Sequence, residues 1–254
     1  MITFYFTSTG NCLEVCKKIG GEMISIPAVL KGNKFDFEDD TIGIVIPNYS
    51  GDLPLPVKEF LKKVRIKADY IFGIVTYGAF NSNANEVLLK LGQQNGIEFN
   101  YINSIIMVDN SFVYFDMEKQ IKNLPKKRVD YSILKIKTDI ESKVNKIYDV
   151  NIMKRAAGKL IGLMGNNNVN YSENFSVEDT CIKCGICEKV CPIDNISIEN
   201  KPVIHDKCIL CGACAQNCPQ NSIHYKGEKS RVRYRNQNVS LNEIINANNS
   251  IINS

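Results

Sequence analysis

Cys181-Ile182-Lys183-Cys184-Gly185-Ile186-Cys187-Glu188-Lys189-Val190-Cys191-Pro192 is echoed by Cys208-Ile209-Leu210-Cys211-Gly212-Ala213-Cys214-Ala215-Gln216-Asn217-Cys218-Pro219. Both stretches read C-x2-C-x2-C-x3-C-P, and each cysteine of the second follows its counterpart by 27 positions (208 − 181). Together they take up all but two of the ten cysteines in a 254-residue chain. The repeat extends beyond the sulfurs. Asp179 matches Asp206, Ile182 matches Ile209, Gly185 matches Gly212 and Ile196 matches Ile223 at the same offset. A duplicated module with pseudo-two-fold symmetry follows. Soft thiolates suit iron. Three closely spaced ones can wrap a turn of backbone around three corners of a cubane, and the proline after the fourth redirects the chain. Glycine between the second and third cysteines lets the backbone approach a ligand closely. Structural zinc wants two ligand pairs separated by a longer stretch. A disulfide framework belongs to small secreted chains. The spacing departs from both.

Composition bounds the rest. A chain of 254 residues accommodates one or two domains, and the cysteine repeat needs only a fraction of it. No apolar run approaches the roughly 18 residues of a membrane span. Met1-Ile2-Thr3-Phe4-Tyr5-Phe6 lacks the charged start and long apolar region of a secretory signal. Cysteines used as thiolates fit a reducing compartment, so the expected location is the cytoplasm. The formal net charge is +4, but eight thiolates and two oxidised cubane cores would together add about −4. A near-neutral loaded protein gives no composition-level reason to expect a nucleic-acid partner.

The first 150 residues alternate strands with helices. Ile2–Phe6 reads as a strand running into Thr7-Ser8-Thr9-Gly10-Asn11 and a helix from about Cys12, closed by Gly20-Gly21. Free N–H groups at a helix start, aided by hydroxyls, form a phosphate cradle, although the same Ser/Thr cluster also serves as an N-cap. Apolar strands are expected at Thr41–Ile46, ending at Pro47, at Tyr70–Thr76, and at about Tyr101–Val108. Helices are expected at Val57–Val64 and about Ala84–Gln94. This alternation argues for a doubly wound parallel sheet with ligands at the carboxyl ends of its strands, where the loops Thr7–Cys12, Pro47–Pro54 and Thr76–Asn83 converge.

At this point the chain resembles known families. The cysteine run is the one bacterial ferredoxins use for iron–sulfur clusters. Thr7-Ser8-Thr9-Gly10-Asn11 looks like the flavin-phosphate loop of flavodoxins, with Cys12 where a hydroxyl often stands. Asn48-Tyr49-Ser50-Gly51-Asp52 is similar to the loop beside the flavin N5, and Thr76-Tyr77-Gly78-Ala79-Phe80 to the loop carrying a stacking aromatic. Ala79 stands where that aromatic is usual, so stacking would fall to Phe80 or Tyr49. From residue 1 to about 235 the chain thus resembles flavodoxin–ferredoxin fusion proteins of anaerobic bacteria. The resemblance implies an α/β flavodoxin-like fold of strand order 2-1-3-4-5, bound FMN, and a small α+β domain with two [4Fe–4S] clusters. It further implies crossed ligation. Cys181, Cys184, Cys187 and Cys218 would hold one cluster, and Cys208, Cys211, Cys214 and Cys191 the other.

The expected boundaries are 1–150 for the flavodoxin-like domain, 151–172 for a linker or packing segment, 173–228 for the two-cluster domain and 229–254 for a basic, then Asn-rich tail. Val129, Ile133, Ile136, Ile140, Val144 and Ile147 read as one apolar helix stripe after Pro125. Lys229, Arg231, Arg233 and Arg235 read as a solvated face or one docking on carboxylates of the first domain, and the end from Asn236 as frayed. His205 and His224 are not needed as ligands, and no catalytic acid–base pair stands out. Three functions are compatible with these features. The first is a soluble electron-transfer protein linking clusters, FMN and an external redox donor or acceptor. The second is a flavin-dependent reductase of a small molecule or quinone. The third is a ferredoxin whose first domain binds no flavin and docks a partner.

Overall fold

The computed structural model describes residues 1–81, 83–148 and 170–253. Its first part is built on a six-stranded sheet in which every pairing is parallel. The strands are β1 (Ile2–Tyr5), β2 (Glu22–Ser25), β4 (Thr41–Pro47), β6 (Tyr70–Tyr77), β7 (Tyr101–Ile106) and β8 (Lys146–Ile147), in the order β2-β1-β4-β6-β7-β8. Between them, β3 (Asp36–Glu38) and β5 (Arg65–Lys67) pair with each other in a separate ribbon. The helices of this part are α1 (Asn11–Ile19), α2 (Ile26–Lys31), α3 (Leu55–Lys63), α4 (Ala84–Gln94), α5 (Met117–Lys122) and α6 (Val129–Glu141).

Parallel strands need crossover connections, and helices on both sides bury both faces of the sheet. That is why β4 is apolar without alternation. Ile42, Ile44 and Ile46 join one core with Phe4, Phe6 and Phe60, while Val45 joins a second with Phe72, Val15 and Ile136. Successive strand residues point to opposite faces, so one continuous apolar run supplies both cores. The carboxyl ends of β1, β4 and β6 lie side by side and open into the loops that begin at Thr7, Asn48 and Gly78.

The cysteine-bearing part repeats itself in three dimensions. Strand β9 (Phe175–Val177) pairs antiparallel with β12 (Ile223–Tyr225), and β10 (Ile196–Ile198) with β11 (Pro202–Ile204). Helix α7 (Ile186–Lys189) has its counterpart in α8 (Ala213–Gln216), and β9 and β10 have theirs in β11 and β12, each at the sequence offset of the cysteines. Even the left-handed residues match. Lys183, Gly185 and Asp194 have φ of 56°, 74° and 49°, and Leu210, Gly212 and Asn221 have 52°, 73° and 50°. Gly185 and Gly212 are the N-caps of α7 and α8, where positive φ is open to glycine without steric penalty.

Three expectations need correction. Helix α6 stops at Glu141; Lys143 turns left-handed (φ 49°), and Ile147 joins the sheet edge in β8 instead of continuing the stripe. The end of the chain is ordered, with α9 (Leu241–Asn249) folded against α2, β2 and α7. Beyond it, Ile252 exchanges backbone hydrogen bonds with Ala28 and Asn33. In the basic run after residue 228, Lys229, Arg231 and Arg235 are exposed, as a solvated face requires, but among the described residues the run does not dock on carboxylates of the first domain. Arg231 and Arg233 pair with Glu178 and Glu228, carboxylates of the cysteine-bearing part itself. The basic segment 152–164 and all but Asn170 of the asparagine run at 166–170 lie outside the described residues.

Candidate metal centres

The duplicated fold arranges its eight repeat thiols around two cavities. One is lined by Cys181, Cys184, Cys187 and Cys218, with Ile182, Pro202 and Ile223 among the apolar walls. The other is lined by Cys208, Cys211, Cys214 and Cys191, with Phe175, Ile196 and Ile204. Matching thiol sets suit two copies of one cofactor. Each cavity takes three thiols from one repeat and the fourth from the other. Among the described residues no three His, Cys, Asp or Glu side chains converge on a single ion-sized point; the thiols ring the cavities instead.

Backbone donors surround the sulfurs in the same symmetric way. Asn195 N–H donates to Cys191 Sγ and Ser222 N–H to Cys218 Sγ, both at 3.3 Å. Such hydrogen bonds orient the ligand and stabilise its thiolate. Burial works against the thiolate. It pushes the Cys187 thiol up to about 11 and, with neighbouring thiol charges, lifts Cys211 and Cys214 further. Metal must therefore displace protons as it binds. The donor set is all sulfur, in apolar surroundings and doubled by symmetry, and it fits a [4Fe–4S] cluster in each cavity. Neither histidine lines either of these two cavities. His205 Nε2 pairs with Ser197 Oγ at 3.0 Å and His224 Nδ1 with Glu228 Oε1 at 2.8 Å.

Docking on the parallel sheet breaks the symmetry. Ile209 packs against the core that contains Phe4 and Phe60, whereas its counterpart Ile182 is 60% exposed. A Cβ on Gly212 would meet Phe112 Cε1 at 3.1 Å, whereas one on Gly185 would meet nothing within 4 Å. Cys184 is exposed and its counterpart Cys211 is not. The segment after β7 supplies Val108, Phe112, Val113 and Met117 to a core shared with Cys187, Cys191, Cys214 and Tyr234. The second cavity is thus covered by the first domain, and the first faces outward.

The loops expected to hold FMN do converge, but protein groups fill the phosphate position. Thr7, Ser8, Thr9, Asn11 and Cys12 are all buried. Gly10 N–H donates to Thr7 Oγ1 at 3.0 Å, and Asn110 Nδ2 donates to Ser8 Oγ at 3.2 Å and Thr9 Oγ1 at 2.8 Å. Asn217 Nδ2 donates to Ser8 O at 3.1 Å and Asn236 N to Thr9 O at 2.8 Å. Tyr234 Oη donates to Asn11 Oδ1 at 2.9 Å. Gly10 has φ of 100°, and a Cβ there would lie 2.8 Å from Val239 Cβ. The buried Glu14 carboxylate, in the first turn of α1, opposes an anion at that helix start. A flavin phosphate does not fit this arrangement without displacing Asn110 and the segment from Tyr234 to Val239. The flanking loops are compact. Asn48, Tyr49, Ser50, Gly51 and Asp52 form a turn in which Ser50 and Gly51 are both left-handed, closed by Tyr49–Asp52 backbone bonds of 2.9 and 3.0 Å. Asn48 Nδ2 reaches Phe80 O at 2.7 Å, and Ala79 N reaches Asp109 Oδ2 at 3.0 Å, which ties Thr76, Tyr77, Gly78, Ala79 and Phe80 to their neighbours.

Sequence reasoning missed Asn110, Asn217, Tyr234 and Asn236, the residues that fill the loop. Nothing in their local sequence marks them, because their contacts span about 100 to 220 positions of chain.

Comparison with protein families gives one match: residues 180–222 fit the 4Fe-4S dicluster domain. A dicluster domain in that region supports an iron–sulfur electron-transfer function, and such a function implies a redox partner. No curated protein matches the chain. Among the described residues no helix is long and apolar enough to cross a membrane.

Proposed function

We propose that the chain is a soluble, cytoplasmic electron carrier in which two [4Fe–4S] clusters exchange single electrons with an external redox protein. One observation carries this reading: the two cavities sort the repeat cysteines into sets of three plus one, the pattern of crossed ligation. Cys181, Cys184, Cys187 and Cys218 would hold the first cluster, and Cys208, Cys211, Cys214 and Cys191 the second. When bound, the clusters supply one-electron transfer at low potential. The chain's own residues hold the sulfurs apart, donate backbone hydrogen bonds to them and exclude water from the second site.

The first domain is best read as flavodoxin-like. With the β3–β5 ribbon left aside, its sheet strands run 2-1-3-4-5 with a short sixth at the edge, which supports that reading. The filled phosphate loop favours a domain that holds no flavin and serves as the body on which the cluster module docks. A reductase acting at a flavin is correspondingly disfavoured.

Crossed ligation has a direct test. Cys218→Ala should damage the cluster held by Cys181, Cys184 and Cys187, and Cys191→Ala the other. Iron analysis with paramagnetic resonance of the reduced variants reads this out. Loss confined to the cluster nearest in sequence to each mutation would refute the assignment.

A further inference from the structure

The two halves of the cysteine repeat are equivalent in sequence and opposite in exposure. Lys183 and Gln220, which line the first cavity, are exposed. Their counterparts 27 positions away, Leu210 and Ile193, are apolar and pack on the core that holds Phe112 and Tyr234. Pro219 is exposed where Pro192 is buried. With Ile182 and the ligand Cys184, also exposed, these residues form an outward rim that is part apolar and part polar. Exposed apolar groups bordered by polar ones mark interaction surfaces, and transient redox encounters need little area. Lys183 is the only basic or carboxylate side chain that lines the first cavity. Among the described residues no carboxylate pairs with it, whereas Lys201, on the adjoining groove, is held by Asp179 at 2.7 Å. Lys183 thus sets an unpaired positive charge at the mouth of a site whose four thiolates and cubane core would sum to about −2.

Resting on the two-cluster reading, we propose that the external redox protein docks on this rim, with apolar contact to Ile182 and Pro219 and a carboxylate facing Lys183, and that electrons enter and leave through the first cluster. Electron tunnelling falls steeply with distance, so exchange favours the cluster that a partner can approach most closely. One electron passes from the reduced first cluster to the partner's oxidised cofactor, and the second cluster then reduces the first. No bond breaks and no proton moves. The second cluster offers no equivalent face, because the first domain packs against Ile209 and Gly212. A partner with a basic face would set like charges against Lys183, and one with a carboxylate there is drawn to it.

The test is stopped-flow oxidation of reduced, full-length, cluster-loaded protein by rubredoxin, a small acidic one-electron acceptor, with iron measured in every sample. Lys183→Glu should lower the second-order rate constant about fivefold at low ionic strength. The difference should close at about 1 M salt, where charges are screened over roughly 3 Å. Lys143→Glu makes the same change in net charge at an exposed turn leading into β8, on the amino end of the sheet, and should leave the rate near that of the wild type. Equal rates for the two variants, or slowing by Lys183→Glu that persists at high salt, overturns the proposal. Wild-type protein with iron for fewer than two clusters instead defeats the reading beneath it. Should Lys183→Glu fail to load, Ile182→Ser alters the same rim at a position already 60% exposed. It should slow the reaction about threefold at every salt concentration, and an unchanged rate would count equally against the proposal.

Discussion

Cys12 and Cys16 show why cysteine identity alone does not make a ligand. Both are buried on α1, and neither lines one of the two cavities. Burial pushes Cys12 up to about 12, against the opposing effect of its 3.2 Å contact with Thr76 Oγ1, and raises Cys16 strongly. Neutral, enclosed thiols of this kind act as small apolar residues. Iron content of a Cys12→Ser, Cys16→Ala double variant should equal that of the wild type; a fall would return these residues to the ligand set. Arg233 makes the opposite point. It stacks on Phe112 at 4.7 Å, donates to Ile223 O at 3.0 Å and pairs with Glu228, with both charged side chains 9% exposed. Removing one partner of a buried pair leaves the other unpaired, so Arg233→Ala should lower stability by about 3 kcal/mol. The urea midpoint under anaerobic conditions would measure it, and a change within the range of a surface substitution would show that the pair is not essential. In sequence, Arg233 was one member of an alternating basic run. Its partners were invisible because they depend on how the chain folds back.

The elements of the cluster module were the most legible, because one offset governs sulfurs, helices, strands and left-handed residues alike. The core strands β4 and β6 were legible for a different reason: only doubly covered strands are apolar at every position. Strand β2 and helix α2 escaped notice, since two of the four β2 residues are exposed and α2 is only six residues long. Helix α9 was hidden by its asparagines, although its capping box was present as Ser240 and Glu243. Ser240 N donates to Glu243 Oε2 at 2.7 Å, and Lys17 Nζ reaches Glu243 Oε1 at 2.7 Å. Lys17 first, then the Ser240 backbone, pulls Glu243 down from 4.5 to about 2. Because the folded value lies below the unfolded one, this support is present above about pH 4.5 and lost as pH falls toward 2. Glu243→Gln imitates the protonated state at neutral pH. Both it and Ser240→Ala should speed amide exchange across 241–249, the serine change by about 1 kcal/mol of helix stability. Unchanged exchange would mean that packing on α2 alone holds the helix.

At the scale of the whole molecule, a symmetric module sits asymmetrically on its partner domain. The repeat could be read from sequence, but which half would be covered could not, since Ile182 and Ile209 are the same residue in equivalent positions. The hydroxyl-rich loop after β1 could likewise be seen in the sequence, but the groups that fill it could not. Its occupants come from Asn110, the second repeat and the C-terminal segment. Full-length protein titrated anaerobically with FMN and with riboflavin should bind neither, and tight, phosphate-dependent FMN binding would show that the cover opens. The two clusters themselves are decided by one measurement. Protein purified and kept under anaerobic conditions should contain about eight irons and eight acid-labile sulfides per chain, with a reduced paramagnetic spectrum of two interacting centres. Iron for a single cluster, or zinc in place of iron, would contradict it.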